Sequence, residues 1–198
     1  MKISIIGAGN VGSTLGKKWA QAGHHIWFGV RSPGDTKFNE LHLSGKVCTV
    51  GEAIAATEVV LLSIPGTAVG DFAYATSSAL NGKIVIDATN NIRSSEINNL
   101  AALRDKNQDA HLVRAFSTLG WENFANPKLG SVTIDLFYCG DAMSRAVSDQ
   151  LITDIGLHPI YLGDMEAVEL VDNLTRLWFT LMLNQGRGRR LAFKLLQE

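Results

Sequence analysis

Lys2-Ile3-Ser4-Ile5-Ile6-Gly7-Ala8-Gly9-Asn10-Val11-Gly12 opens the chain with a run of β-formers that passes straight into a G-x-G-x-x-G. Ser13–Ala22 reads as a helix, with Val11, Leu15, Trp19 and Ala22 on one face and Gly23 as its stop. A second apolar run, His25-Ile26-Trp27-Phe28-Gly29-Val30, follows at once. Strand, glycine turn, helix and strand in immediate succession form the context in which such glycines bind a dinucleotide. Gly7 can take the tight turn, Gly9 leaves room for a pyrophosphate, and Gly12 lets the helix lie close to the strand. The free N–H groups at the helix start then face the phosphates.

The end of the second strand selects the dinucleotide. An NAD site places Asp or Glu about twenty residues beyond the glycines, where it accepts from the ribose hydroxyls. No acidic residue occurs from Met1 to Gly34, and the strand ends Val30-Arg31-Ser32 with Lys37 nearby. Arg31 can stack on adenine or fork onto a 2′-phosphate, and Ser32 can donate to the same group. NADP(H) is therefore the expected cofactor.

Outward from this unit the chain keeps alternating. Lys46–Thr49, Glu58–Ile64, Lys83–Asp87 and His111–Phe116 read as strands, separated by helical stretches at Thr36–Leu43, Gly51–Thr57, Thr67–Leu80 and Ser94–Asn107. Continuous apolar strands between helices indicate a parallel sheet covered on both faces. Ligands of such sheets lie at the carboxyl ends of the strands, which draws attention to Ser63-Ile64-Pro65, Ala88-Thr89-Asn90 and Phe116-Ser117-Thr118. Thr118–Pro127 looks irregular; Thr133–Cys139 and Pro159–Leu162 are further strands flanking a helix at Ala142–Ile155. From Met165 the pattern turns helical, with Ala167, Leu170, Val171, Leu174, Leu177, Trp178 and Leu181 on one stripe and Asp164 as N-cap. Arg189–Gln197 suits a second, short amphipathic helix. The expected fold is an α/β, Rossmann-type, doubly wound and mostly parallel sheet over residues 1–163, with a C-terminal helical extension over 164–198.

Composition narrows the function classes. A net charge of −1 without a basic block argues against nucleic acid, and no apolar run reaches bilayer length. Cys48 and Cys139 lie far apart in strand-like runs and read as buried thiols, which suggests a cytoplasmic address. The five histidines sit mostly at turns or strand starts, and no Cys/His spacing suits a metal, so neither a metal site nor a dedicated general acid is expected. Asp87, at a strand end, suits a functional role or the capping of the next helix equally well. Trp121, in an irregular loop, can stack on a ring or anchor the loop in the core.

Gly7–Gly12, Val30-Arg31-Ser32-Pro33, Leu61–Pro65 and Arg114-Ala115-Phe116 together resemble the NADP oxidoreductases that use the deazaflavin coenzyme F420. Ala115–Phe124 and Asp135–Asp141 are similar to bacterial members and relatives of that family, so the resemblance covers nearly the whole chain. The cytosolic domain of flavin-dependent iron and copper reductases shares the scaffold. The resemblance assigns Gly9, Asn10 and Val11 to the pyrophosphate, and Arg31, Ser32 and Lys37 to the 2′-phosphate. It places Ser63, Ile64, Pro65 and Ala88 beside the nicotinamide and its ribose. Phe116, Ser117, Thr118, Leu119 and Trp121 then border the second substrate. The implied activity is hydride transfer between NADPH and a planar redox coenzyme, F420 or a flavin. A flavin or ferric reductase and a non-catalytic NADPH sensor are the alternatives. Only Met165–Glu198 follows the last strand, so the substrate is expected in an open cleft against the nicotinamide. The apolar stripe on the last long helix suits packing on the sheet or pairing in a homodimer.

Overall fold

The computed structural model describes residues 1–198. The elements follow in the order β1 (Lys2–Ile6), α1 (Asn10–Gln21), β2 (His25–Val30), β3 (Lys46–Thr49), α2 (Val50–Ala55), β4 (Val59–Leu62), α3 (Val69–Ala75), β5 (Ile84–Asp87), α4 (Leu100–Lys106) and β6 (His111–Arg114). After these come α5 (Trp121–Ala125), β7 (Lys128–Leu129), β8 (Val132–Thr133), β9 (Asp135–Gly140), α6 (Arg145–Asp154), β10 (His158–Tyr161) and α7 (Val168–Phe179). Short 3₁₀ turns cover Thr36–Leu43, Gly66–Ala68, Ala142–Ser144 and Met165–Ala167, and a π turn at Thr180–Asn184 widens the end of α7.

The main sheet has the order β10-β9-β6-β5-β4-β1-β2-β3. All neighbours pair in parallel except β6 and β9, which meet antiparallel through Val113 with Gly140 and Arg114 with Cys139. The chain moves outward from β1 in one direction through β2 and β3, then returns to place β4 on the other side. That reversal puts a switch-point crevice above β1 and β4, where ligands of open α/β sheets bind. Every residue of β4 is buried, and β1 is buried beyond Lys2, as strands covered on both faces require. On one face α1 inserts Trp19, whose indole Nε1 donates to the Leu151 carbonyl at 2.9 Å. Gly16 permits this approach, because a Cβ there would stand 2.5 Å from the Phe28 ring.

Three expectations are corrected. The region from Ser94 forms a helix only from Leu100, since Asn98 turns its side chain to cap Leu100 N (2.9 Å) and to reach Asp172 (2.6 Å). Thr118–Pro127, expected to be irregular, holds only the short helix α5 and is no correction. Arg190 donates to the carbonyls of Glu122 and Asn126 there, and to Lys128 beyond.

Residues 189–197 form no helix. Their backbone is engaged elsewhere: Asn123 Nδ2 donates to the Arg189 and Leu191 carbonyls, Trp178 Nε1 to Leu191, and Leu195 N–H to Asp135. Those contacts, with the Lys194–Asp135 ion pair, hold the tail extended while Leu191, Ala192 and Phe193 cover the core.

The stripe on α7 is also rotated from its expected position. Val171, Asp172, Thr175 and Trp178 are its buried residues, whereas Leu170 and Leu177 stand 57% and 45% exposed. Hydrophobic periodicity misplaces this face because two of its buried positions are polar and find partners on β6 and the loop beyond it.

Candidate functional site

The glycine turn is assembled from backbone. Gly7 has φ +100, a conformation that glycine adopts without cost, and its N–H donates to the Gly29 carbonyl on β2. A Cβ on Gly12 would stand 2.0 Å from the Gly7 carbonyl oxygen, 2.5 Å from Ser63 Oγ and 2.9 Å from Ile5, so only glycine lets α1 start there. Ser63, beyond β4, donates its hydroxyl to the Gly7 carbonyl at 2.7 Å and locks the turn to the neighbouring strand. Gly9 is the N-cap of α1 and faces open space. No side chain caps α1 and its first turn holds no acid, so its leading N–H groups remain free for phosphate oxygens. The site fits a pyrophosphate.

Beyond β2, Arg31 and Ser32 are exposed and Arg31 has no carboxylate partner. Lys37 differs. Its ammonium lies 2.6 Å from Asp35, which also caps Lys37 N, and these contacts hold the Asp35 carboxyl below its ordinary range. Asp35 lies one residue past the acid-free stretch, and sequence reasoning did not weigh it. Arg31 is thus the free cation at this corner.

At the carboxyl ends of β4, β5 and β6, the loops interlock. A Cβ on Gly66 would meet the Asn90 backbone at 3.0 Å. Ser63 and Ile64 are half-buried, Pro65 is exposed, and Ala88 is buried at the end of β5. Arg114 and Asp87 are wholly buried. The guanidinium lies 3.3 Å from Asp87 and 2.9 Å from Asp172 of α7. Asp87 also accepts from Thr89 N–H and Oγ1 at 2.9 and 2.6 Å. Its role is therefore to pair with Arg114 and order the turn into residue 89. Asn90 lies in the Ala88-Thr89-Asn90 stretch that the sequence pointed to, whereas Asp172 was not singled out: its partners are distant in the chain, and no local spacing announces it.

The segment after β6 faces inward. Phe116 has φ +58, rare for a bulky residue, and its ring stands edge-on to Trp19 and Phe124 at 5.7 Å from each. Ser117, Thr118 and Leu119 are buried as well, and Thr118 Oγ1 has no hydrogen-bond partner. Trp121 is half-buried and packs on the main core. The structure therefore does not gather the side chains of Phe116–Leu119 into a surface that a second substrate could touch.

Open space lies instead between residues 92–98 and α7. A cleft of about 580 Å³ there is flanked by Glu96, Glu166, Glu169 and Asp172. A smaller one, about 320 Å³, is walled by Ile92, Ile97, Phe179 and Leu183. Arg176 borders both and donates to the Ser95 carbonyl. Of the two thiols, Cys139 is pushed up to about 12, chiefly by burial, and Cys48 is raised for the same reason, so neither is a thiolate nucleophile at neutral pH.

Residues 2–91 match the family described as "NADP oxidoreductase coenzyme F420-dependent". The chain is similar to human metalloreductase STEAP2, at 25% identity over 186 residues that cover 90% of this chain and 36% of the relative. It thus spans little more than a third of the length of that relative.

Among solved structures it resembles a candidate F420-dependent NADP-reductase from Arthrobacter sp. FB24 (22% identity, TM-score 0.85, all of both chains covered). It also resembles pyrroline carboxylate reductase from Plasmodium falciparum, solved with NADP bound (12% identity, TM-score 0.60, 93% of this chain and 67% of that one). These two likenesses bear on the fold. The family match covers residues 2–91, the part of the chain that contains the glycine turn and Arg31.

Proposed function

We propose that the chain transfers hydride between NADPH and a planar redox coenzyme of the deazaflavin type. The observation that carries the cofactor half is Arg31, an exposed and unpaired cation at the end of β2, where an NAD site would hold a carboxylate. Gly9, Asn10 and Val11 would present backbone N–H groups to the pyrophosphate, and Arg31 and Ser32 would hold the 2′-phosphate. Ile64, Pro65 and Ala88 would border the nicotinamide, with Ser63 serving the turn beneath it. NADPH bound there supplies the hydride.

The acceptor half rests on the description of the family whose model residues 2–91 match. Hydride exchange between two stacked rings depends on orientation more than on acid catalysis. The open ground beside α7, rather than the buried loop after β6, is the acceptor's approach. The similarity to metalloreductase STEAP2 favours a second reading, reduction of flavin with ferric chelate. The exposed Leu170, Leu177 and Leu183 suit a homodimer contact in either case.

The test is NADPH consumption by the purified protein with F420, with FAD or FMN plus ferric chelate, and with a cyclic imine. Turnover with F420 alone supports the proposal, and turnover with flavin and iron replaces it by the second reading. Tight NADPH binding without turnover would leave a sensor.

A further inference from the structure

Arg114 is a fully buried cation that engages partners in three directions. Nε donates to Asp172 at 2.9 Å, Nη1 to the Thr89 carbonyl at 2.5 Å, and Nη2 to Asn90 Oδ1 at 2.7 Å. Asn90 extends the linkage, since its Nδ2 donates to the Ser117 carbonyl at 3.1 Å and its backbone abuts Gly66. Gly66, Asn90 and Ser117 belong to the loops that follow β4, β5 and β6, three adjacent strands of the sheet. One guanidinium and one amide therefore tie together the edge that would border the nicotinamide.

Stability alone does not account for this arrangement. A buried ion pair can often be replaced by well-packed apolar residues at no loss. The segment between these contacts also contains Phe116 in its strained φ, and such outliers persist only where their surroundings over-determine them. Lysine could not substitute, because a point charge lacks the fixed fork that reaches Asp172 and the Thr89–Asn90 turn at once.

We propose that Arg114 is a positioning residue for hydride transfer. Asp172 sets the angle of its guanidinium, and Arg114 in turn fixes Asn90 and the relative places of the three loops against the nicotinamide. It moves no proton and touches no substrate; it acts through Asn90. Placement of this kind is worth much, since an error of about 1 Å in a reacting group can cost on the order of a hundredfold in rate. The proposal rests on the cofactor reading above.

The test separates the two ends of the cofactor. Arg114→Lys and Asp172→Asn are compared with the parent protein by circular dichroism, by the Kd for adenosine 2′,5′-bisphosphate, and by the nicotinamide fluorescence and Kd of NADPH. The bisphosphate probes only the adenine end, at Arg31 and the first turn of α1. In Arg114→Lys its Kd should stay within about twofold, while NADPH weakens about tenfold and its bound-state emission enhancement disappears. Asp172→Asn should show the same pattern to a smaller degree, and it decides the matter if the lysine variant does not fold. Equal weakening of both ligands would reduce Arg114 to a structural role, and unchanged NADPH emission would overturn the proposal outright. A parent protein that fails to bind the bisphosphate would instead break the cofactor reading, and the proposal with it.

Discussion

The carboxyl edge of the sheet is built in two different ways along its length. Around β1 and β2 the turn is made of backbone and small residues: Gly7 in its left-handed conformation, Gly12 against the Gly7 carbonyl, and an uncapped start to α1. Around β5, β6 and α7 it is made of buried polar side chains, with Arg114, Asp87, Asn90 and Asp172 as the principal members. The first construction tolerates almost no added volume and lies mostly within the first thirty residues, with Ser63 as its one named distant partner. The second depends on partners that are distant in sequence, and every member left alone would be a buried unpaired polar group.

Substitutions that attack the two constructions differently sharpen this contrast. The largest effect belongs to the polar seam. Arg114→Met removes the cation and leaves Asp87 and Asp172 facing each other in the interior, which should cost on the order of 3–5 kcal/mol. Chemical denaturation measures it; a loss below about 1 kcal/mol would mean that water or relaxation replaces the guanidinium easily. The triple variant with Asp87→Asn and Asp172→Asn should recover part of the loss, because no buried charge then remains.

Next comes the backbone-built side. Gly12→Ala places a methyl where the Gly7 oxygen and Ser63 Oγ already stand, at 2.0 and 2.5 Å, and neither is the free end of a flexible side chain. The start of α1 must shift, at about 1–3 kcal/mol in stability, with NADPH binding lost in proportion. Normal NADPH affinity in this variant would show that the phosphates do not sit on the α1 terminus.

This division also explains what could be read before the structure was known. The glycine turn, β1–β6 and the fold class follow from local pattern, since each strand is a continuous apolar run and each glycine does its work within a few residues of its neighbours. The site residues drawn from that half occupy the switch-point edge. Asp172 and Thr175 were not legible, because polar residues on a buried helix face contradict hydrophobic periodicity until their partners, Arg114 and Ser117, are seen beside them. The extended tail was hidden for the same reason: its competition with helix formation comes from Asn123, Trp178 and Asp135, none of them local. The loop after β6 lies at the edge that general rules favour, yet φ +58 at Phe116 accompanies a ring turned into the core.

Arg31→Ala tests the cofactor corner with a smaller effect. A charge-assisted hydrogen bond is worth about 1.5–3 kcal/mol, so NADPH binding should fall on the order of tenfold to a hundredfold while NADH binding changes little. Equal losses for the two nucleotides would remove the 2′-phosphate from Arg31.

The smallest effect distinguishes the two cations of that corner. Lys37 is already paired with Asp35 at 2.6 Å, on an exposed turn where such pairs contribute about 0–1 kcal/mol. Lys37→Ala should therefore weaken NADPH binding less than about threefold. Asp35→Ala should act in the opposite direction, since it frees the ammonium and removes a negative charge from the neighbourhood of the 2′-phosphate. A tightening of about twofold to threefold at low ionic strength, fading as salt rises, is expected from titration of NADPH fluorescence. If Asp35→Ala weakens NADPH instead, the carboxylate is itself a ligand of the ribose, and the preference for NADP(H) at this corner rests on Arg31 against an acid rather than on Arg31 alone.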